Sequence, residues 1–262
     1  MNSPNNSPFY CALQDALRER KMTLAEICPP MDHVSRRMLE DYGAMFVATA
    51  AVRPPPTCVF NSEEAVRDFQ LAAGFTAATI DGAQVELQPA AMAALLQARE
   101  QALAEGLNIT PRDGAEAARR TYEDSLRLWN TRFLPALAHW QKQGRLSRQQ
   151  VKKLKALPMS EQVRAVLELE EDGIFFSKDL SKSVLYSIAA PGTSQHVAML
   201  AFDVIEFHNA RVREIMSEHG WFQTVLSDLP HFTFLGFSES ELPERGLKRM
   251  EVSGQTFWIP NV

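Results

Sequence analysis

The central part of the chain carries hydrophobic residues at helical spacing. The run PAAMAALLQAREQALAEG has a proline near its start, many alanines and leucines, and Gly106 in a stop position. Such a pattern predicts a helix. The preceding run SEEAVRDFQLAAG predicts a shorter helix, with Ser62 as its N-cap and Gly74 at its end.

Further helical runs follow this region. AEAARRTYEDSLRLWNTRFLPALAHWQKQG predicts a long helix that Pro135 kinks or divides. SRQQVKKLKAL opens with Ser147 and Gln150 at capping-box spacing, and SEQVRAVLELEEDG follows Pro158. These runs predict a helical insertion near residues 133–180.

The last third of the chain changes to short runs of β-branched and aromatic residues between turn residues. SVLYSIAAPGTSQHVAMLAFDVIEF predicts strands around a hairpin, and WFQTVLSDLPHFTFLGF also has an extended pattern. RMEVSGQTFWIP predicts a closing hairpin at its SG pair, and TIDGAQVELQ predicts an earlier strand with a turn at DG. Between them, HNARVREIMSEHG predicts a helix that ends at Gly220.

Helices first and short strands later indicate an α+β fold. We expect a small antiparallel sheet packed with helices, and extra helices at the N terminus and in the insertion. With 262 residues, the chain can form one large domain or two small ones. We expect an N-terminal region over residues 1–85, packed on a main domain over residues 86–262.

Net charge and hydropathy argue against two classes of partner, nucleic acids and membranes. The net charge of -5 gives no support to nucleic-acid binding, which usually requires a basic face. No apolar run reaches the roughly 18 residues of a membrane helix, so we expect no membrane span. The first residues lack the basic and apolar regions of an export signal, which leaves a cytoplasmic protein, a trimmed precursor or another export route.

The three cysteines do not indicate the compartment of the protein. Cys11, Cys28 and Cys58 fall in the first quarter of the chain, and no pair has CxxC spacing. The spacing therefore argues against a cysteine zinc site. One disulfide with one free thiol and three buried thiols are equally consistent with it.

The candidate chemistry lies in two short segments, SQHVAMLAFD and DLPH. His196, Asp203 and His231 offer two imidazoles and one carboxylate, a sufficient ligand set for a catalytic zinc ion with a fourth position open to water. Asp228 stands three residues before His231, where a carboxylate could take a proton from that water. The alternative is a hydrogen-bonded loop histidine and a capping aspartate, since such spacing is common.

These two segments resemble the zinc motif of the VanY-type D-alanyl-D-alanine carboxypeptidases and dipeptidases, a group related to hedgehog and lysostaphin-like endopeptidases. The chain departs from the motif at Asp228, where the family has glutamate, at Pro230, where it has tryptophan, and at Met199, where it has glycine. The matching positions are Ser194, His196, Ala201, Asp203, His231, Phe232, Phe234 and Gly236.

The resemblance implies zinc-dependent hydrolysis of peptide bonds in peptidoglycan peptides, with Zn²⁺ as cofactor and Asp228 as catalytic base. Family members also carry an arginine, in a loop before a helix, that binds the substrate carboxylate. Arg112 is the best candidate for this role, since a guanidinium can hold a carboxylate with two parallel bonds. Arg119 and Arg120 are runners-up that we expect on a solvated helix face. Ser194 is the second candidate substrate-binding residue, and we expect it to form a backbone-orienting hydrogen bond near His196 rather than to act as a nucleophile.

Two other functions remain open. The protein could be a non-catalytic zinc-containing module that binds peptidoglycan or another protein, as hedgehog-like relatives illustrate, with Asp228 as a remnant. It could also be a metal-free scaffold. A peptidoglycan substrate implies a periplasmic or extracellular location. The sequence does not indicate the oligomeric state.

Overall fold

The computed structural model describes residues 6–28 and 33–262, and over these residues the protein has an α+β fold. Its 3₁₀ helices cover Gly43–Val47, Gly114–Ala117, Val184–Tyr186 and Glu239–Glu241. The α-helices are α1 (Pro8–Glu19), α2 (Leu24–Ile27), α3 (His33–Tyr42), α4 (Glu63–Ala73), α5 (Pro89–Ala104), α6 (Tyr122–Lys142), α7 (Arg148–Ala156), α8 (Met159–Glu171) and α9 (Ala210–Glu218).

The strands form small antiparallel sheets. The central sheet has the order β3, β5, β4, and its register places Asp203 directly opposite His231. Two candidate ligands therefore come from neighbouring strands. The strands are β1 (Thr76–Ile80), β2 (Ala83–Leu87), β3 (Ala201–Asp203), β4 (Trp221–Phe222), β5 (His231–Phe234), β6 (Leu247–Val252) and β7 (Gln255–Pro260).

The predicted turn at DG and the predicted closing hairpin at SG are confirmed. β1 pairs with β2 through Asp81 and Gly82, and β6 pairs with β7 through Ser253 and Gly254. All four turn residues have positive φ, as type I′ turns require. The right-handed twist of the flanking strands favours this turn, so a DG or SG pair between strand-like runs is a strong local signal.

The predicted helix boundaries are also confirmed where a capping residue marks them. Ser62 Oγ accepts a hydrogen bond from the Ala65 N–H at 3.2 Å, and Gly74, with φ of 71°, follows the end of α4. Ser147 and Gln150 form the capping box that starts α7. These contacts join residues three positions apart, and the sequence therefore shows them directly.

Pro135 does not divide α6, although it lies inside the helix. Its ring is on the exposed side, where a carbonyl without a helical partner can bond to water. The helix also begins later than predicted, at Tyr122, because Thr121 and Asp124 form a capping box there. The residues just before Thr121 therefore lie outside the helix, and Ala118 and Arg120 among them contact the candidate site.

The strands predicted between residues 183 and 200 were wrong. This segment consists of the 3₁₀ helix Val184–Tyr186 followed by turns, and β3 begins only at Ala201. Successive N–H groups of Val197, Ala198 and Met199 bond to carbonyls three residues back at 3.0–3.1 Å. From Val197 to Leu200 the backbone thus satisfies its polar groups locally, and all four side chains are buried, so no alternation of buried and exposed positions marks a strand there.

Among the described residues, two hydrophobic clusters form the interior. The larger one joins Phe9 and Leu13 of α1 to Phe202 and Trp221 of the central sheet. The smaller one lies among α6, α7 and α8 around Trp129. The boundary expected between residues 85 and 86 falls inside β2. None of the described helices has the length and apolar composition of a membrane span.

Cys28 and Cys58 form a disulfide, and Cys11 is free and exposed. Of the two arrangements consistent with the sequence, the structure therefore has one disulfide with one free thiol. The bond closes a loop of 30 residues. We expect the double variant Cys28→Ser, Cys58→Ser to lose about 3–4 kcal/mol of unfolding free energy, because the unfolded chain regains loop entropy. Guanidinium denaturation measures the change, with Cys11→Ser as control. Equal midpoints for the double variant and the control would contradict it.

Candidate metal centre

His196, Asp203 and His231 meet at one buried point below the central sheet's edge. His196 Nε2 is 3.1 Å from His231 Nδ1 and 3.2 Å from Asp203 Oδ1, and the last two atoms are 3.1 Å apart. Ligand atoms of a tetrahedral zinc site with bonds of about 2.0–2.1 Å stand roughly 3.3–3.4 Å apart. The three atoms form a triangle of nearly this size.

The hydrogen bonds on the outer side of each ring fix what the histidines present to this triangle. His196 Nδ1 lies 2.7 Å from the Ala118 carbonyl oxygen, so Nδ1 carries the proton and donates. His231 Nε2 lies 2.7 Å from Gln195 Oε1 and likewise carries the proton. Both inner nitrogens therefore present lone pairs toward Asp203 Oδ1.

Electrostatics keep the cluster in the form that a metal ion needs. Burial and the positive charge of Arg120 lower the pKa of His196 to about 4, so this imidazole is neutral at pH 7. The guanidinium of Arg120 lies 2.7 Å from Asp203 Oδ2 and favours the charged form of this carboxyl against the effect of burial. Three lone pairs thus converge in a buried site, an arrangement that a cation stabilises.

Arg120 holds the second oxygen of Asp203. Its Nη2 donates to Asp203 Oδ2 at 2.7 Å, and its Nε donates to the Glu116 carbonyl at 2.8 Å. The Arg120 side chain is only 14% exposed, so the expectation of a solvated helix face was wrong. Because α6 starts at Tyr122, Arg120 lies in the segment before the helix. Its bond to Oδ2 leaves Oδ1 for the triangle.

A pocket opens beside the two histidines, and Arg120, Ser194 and Asp228 contribute to its lining. Asp228 is exposed to solvent at the edge of this pocket. The protein atoms around its carboxyl, followed by the negative charge of Asp203, raise the pKa of Asp228, and contact with solvent weakens both effects. A carboxyl with a raised pKa beside a metal centre is suited to receive and return a proton.

A turn before β5 brings Asp228 to this pocket. The Asp228 N–H donates to the Val225 carbonyl at 3.1 Å, and the Asp228 carbonyl accepts from the His231 N–H at 3.2 Å. The second bond links the candidate base, Asp228, to the candidate ligand His231, which follows three residues later in the chain. The DLPH segment thus supplies both groups on one side of the pocket.

Ser194 and Arg112, the two residues predicted to bind substrate, make different contacts near the centre. Ser194 Oγ accepts from the His196 N–H at 3.3 Å, which confirms the expected orienting bond. The Arg112 N–H donates to the Asp203 carbonyl at 2.9 Å, but its half-exposed guanidinium lies over the Phe207 ring and 3.8 Å from Asp113. A direct substrate contact by either side chain stays a prediction.

Sequence reasoning missed Gln195 and Tyr42 and misplaced Arg120. A local signal did exist for Arg120, since the T-x-x-D capping box at Thr121 marks a later helix start. Gln195 and Tyr42 had no such signal, because their partners are far away in the chain. No family model matches the chain, and no curated protein or solved structure shows significant similarity to it.

Proposed function

We propose that this protein is a zinc-dependent peptidase that hydrolyses peptidoglycan peptides, with an activity like that of a D-alanyl-D-alanine carboxypeptidase. The observation that carries the proposal is the triangle of lone-pair atoms from His196, Asp203 and His231 beside an open pocket. Two imidazoles and one carboxylate suit zinc and leave a position for water. The resemblance of the two motifs supports the peptide substrate.

Residues at and near the pocket are proposed to have separate roles in hydrolysis. When bound, zinc supplies Lewis acidity that activates water and polarises a scissile carbonyl. Asp228 accepts the proton of the attacking water and delivers it to the leaving amine. Arg120 keeps Asp203 in one orientation through the bond to Oδ2. Arg112 is proposed to bind the terminal carboxylate of the substrate, which favours carboxypeptidase over endopeptidase cleavage.

Substitution of Arg120 is expected to change zinc affinity, whereas substitution of Arg112 is expected to change KM. Arg120→Gln should raise the dissociation constant for zinc about 10–100-fold, because Asp203 loses the partner that orients Oδ1. Arg112→Gln should leave zinc binding unchanged and raise KM for peptides with a free terminal carboxylate. Chelator competition and steady-state kinetics measure the two effects. Unchanged zinc affinity in Arg120→Gln, or unchanged KM in Arg112→Gln, would contradict the corresponding role.

The function itself is tested with purified, zinc-loaded protein and defined muropeptides, with products identified by mass spectrometry and His231→Ala as control. Loss of a terminal D-alanine, absent in the control, is the expected result. Release of a larger fragment would change the assignment to an endopeptidase. Absence of any product from zinc-bound protein would overturn the peptidase proposal.

One observation favours a second candidate, a non-catalytic zinc-containing module that binds peptidoglycan or protein. Asp228 is one methylene shorter than the glutamate of the related motif, and a base must come within about 2.6–3.2 Å of its proton or reach it through one water. In this case the metal would stabilise the fold. Binding to peptidoglycan without product formation is the result that distinguishes this candidate.

We further propose a periplasmic or extracellular location. The Cys28–Cys58 disulfide supports it, because disulfides persist in oxidising compartments. A peptidoglycan substrate is consistent with the same compartments.

A further inference from the structure

Gln195 precedes His196 in the chain, yet its side chain bonds to the other histidine of the centre. Its Oε1 lies 2.7 Å from His231 Nε2, and the side chain is buried, with 1% of the residue exposed. The amide therefore lies directly behind a candidate metal ligand. Nothing in the motif resemblance gives it a role.

The surrounding groups hold the amide in one orientation. Gln195 Nε2 donates to the Tyr42 carbonyl at 2.9 Å and to Thr224 Oγ1 at 3.3 Å. Gln195 Oε1 accepts from Thr233 Oγ1 as well as from His231. Thr224 Oγ1 and Thr233 Oγ1 are 2.7 Å apart and complete the ring of hydrogen bonds. Each donor in this ring has an acceptor.

The reversed amide would be unfavourable at both ends. Oε1 would face the Tyr42 carbonyl, so two acceptors would meet at hydrogen-bond distance in a buried site. The amide N–H would face His231 Nε2 and force the ring proton onto Nδ1, inside the metal triangle. The Tyr42 carbonyl thus selects the amide orientation, and the amide selects the tautomer of His231.

We propose that Gln195 is a positioning residue that keeps His231 protonated on Nε2 and leaves Nδ1 free for the metal ion. The Tyr42 carbonyl at the end of α3 secures it, which gives the N-terminal region a role at the centre. The proposal rests on the proposed metal site, but the bond between His231 Nε2–H and Gln195 Oε1 forms in the protein without metal. The two can therefore be tested separately.

The first measurement compares zinc affinity in two variants and a matched control. Gln195→Met has a similar volume but neither hydrogen-bonding group, and we expect a 10–100-fold higher dissociation constant for zinc. Gln195→Glu keeps an acceptor for His231 Nε2–H, and we expect a loss of less than about 10-fold. The control Gln162→Met removes another buried amide, bonded to Trp129 Nε1 and the Leu154 carbonyl, and should leave zinc affinity unchanged.

The second measurement is ¹⁵N NMR of the histidine rings in metal-free protein at neutral pH. In the wild type we expect a proton on His231 Nε2 that bonds to Gln195 and is protected from exchange with solvent, and in Gln195→Met we expect this proton to exchange faster. A wild-type His231 ring without a proton on Nε2 would overturn the proposal without any variant. Unchanged exchange of the Nε2 proton together with unchanged zinc affinity in Gln195→Met would overturn it as well. Faster exchange in Gln195→Met, in a protein that binds no zinc, would support the bond to Gln195 and count against the proposed peptidase.

Discussion

His231→Ala should lose zinc binding by at least a factor of about 1,000 in the dissociation constant, or roughly 4 kcal/mol. His231 supplies one of three converging ligand atoms, and zinc sites in small domains bind with about 10–16 kcal/mol in total. Losing one of three ligands therefore removes a large share of the binding free energy. The remaining pair, His196 and Asp203, leaves the ion mostly solvated.

Thermal unfolding with and without zinc gives the measurement. A ligand that binds only the folded state raises its stability in proportion to the logarithm of its concentration over the dissociation constant. Zinc should raise the melting temperature of the wild type and leave that of His231→Ala unchanged. His208→Ala is the control, because His208 is an exposed histidine outside the cluster. A zinc-induced rise in His231→Ala equal to that in the control would contradict the assigned ligand set.

Asp228→Asn should lower kcat about 10²–10⁴-fold while zinc affinity stays within a few-fold of the wild type. The asparagine amide has nearly the same shape as the carboxyl, but it cannot accept the proton of the attacking water. Asp228→Glu should preserve or raise kcat, since the added methylene extends the reach of the base. Steady-state kinetics on a muropeptide, with zinc content measured for each variant, gives both quantities.

Asp15→Asn is the matched control for this substitution, because Asp15 is exposed on α1 and pairs with Arg18. Its kcat should equal that of the wild type. Full activity in Asp228→Asn would place the base elsewhere in the pocket. An inactive wild type that binds zinc, together with an active Asp228→Glu, would mean that the shorter side chain has ended catalysis in this protein.

Local signals in the sequence predicted a large part of the fold. The boundaries of α4 and α7 follow from Ser62, Gly74 and the Ser147 capping box, and the two hairpins follow from the DG and SG pairs. These signals act over two to four residues, so the chain contains them without reference to its tertiary structure. The turn segment before β3 escaped prediction, because its local hydrogen bonds and the burial of Val197 to Leu200 override the strand-like composition.

The same distinction applies to the candidate centre. The sequence alone indicated the set of candidate ligand residues, since His196, Asp203 and His231 occur at motif spacing with suitable chemistry. Only the tertiary structure decided which ring nitrogens face inward, because that choice depends on Ala118 and Gln195. These partners bond across 78 and 36 residues of chain, and such contacts leave no periodic or local pattern in the sequence.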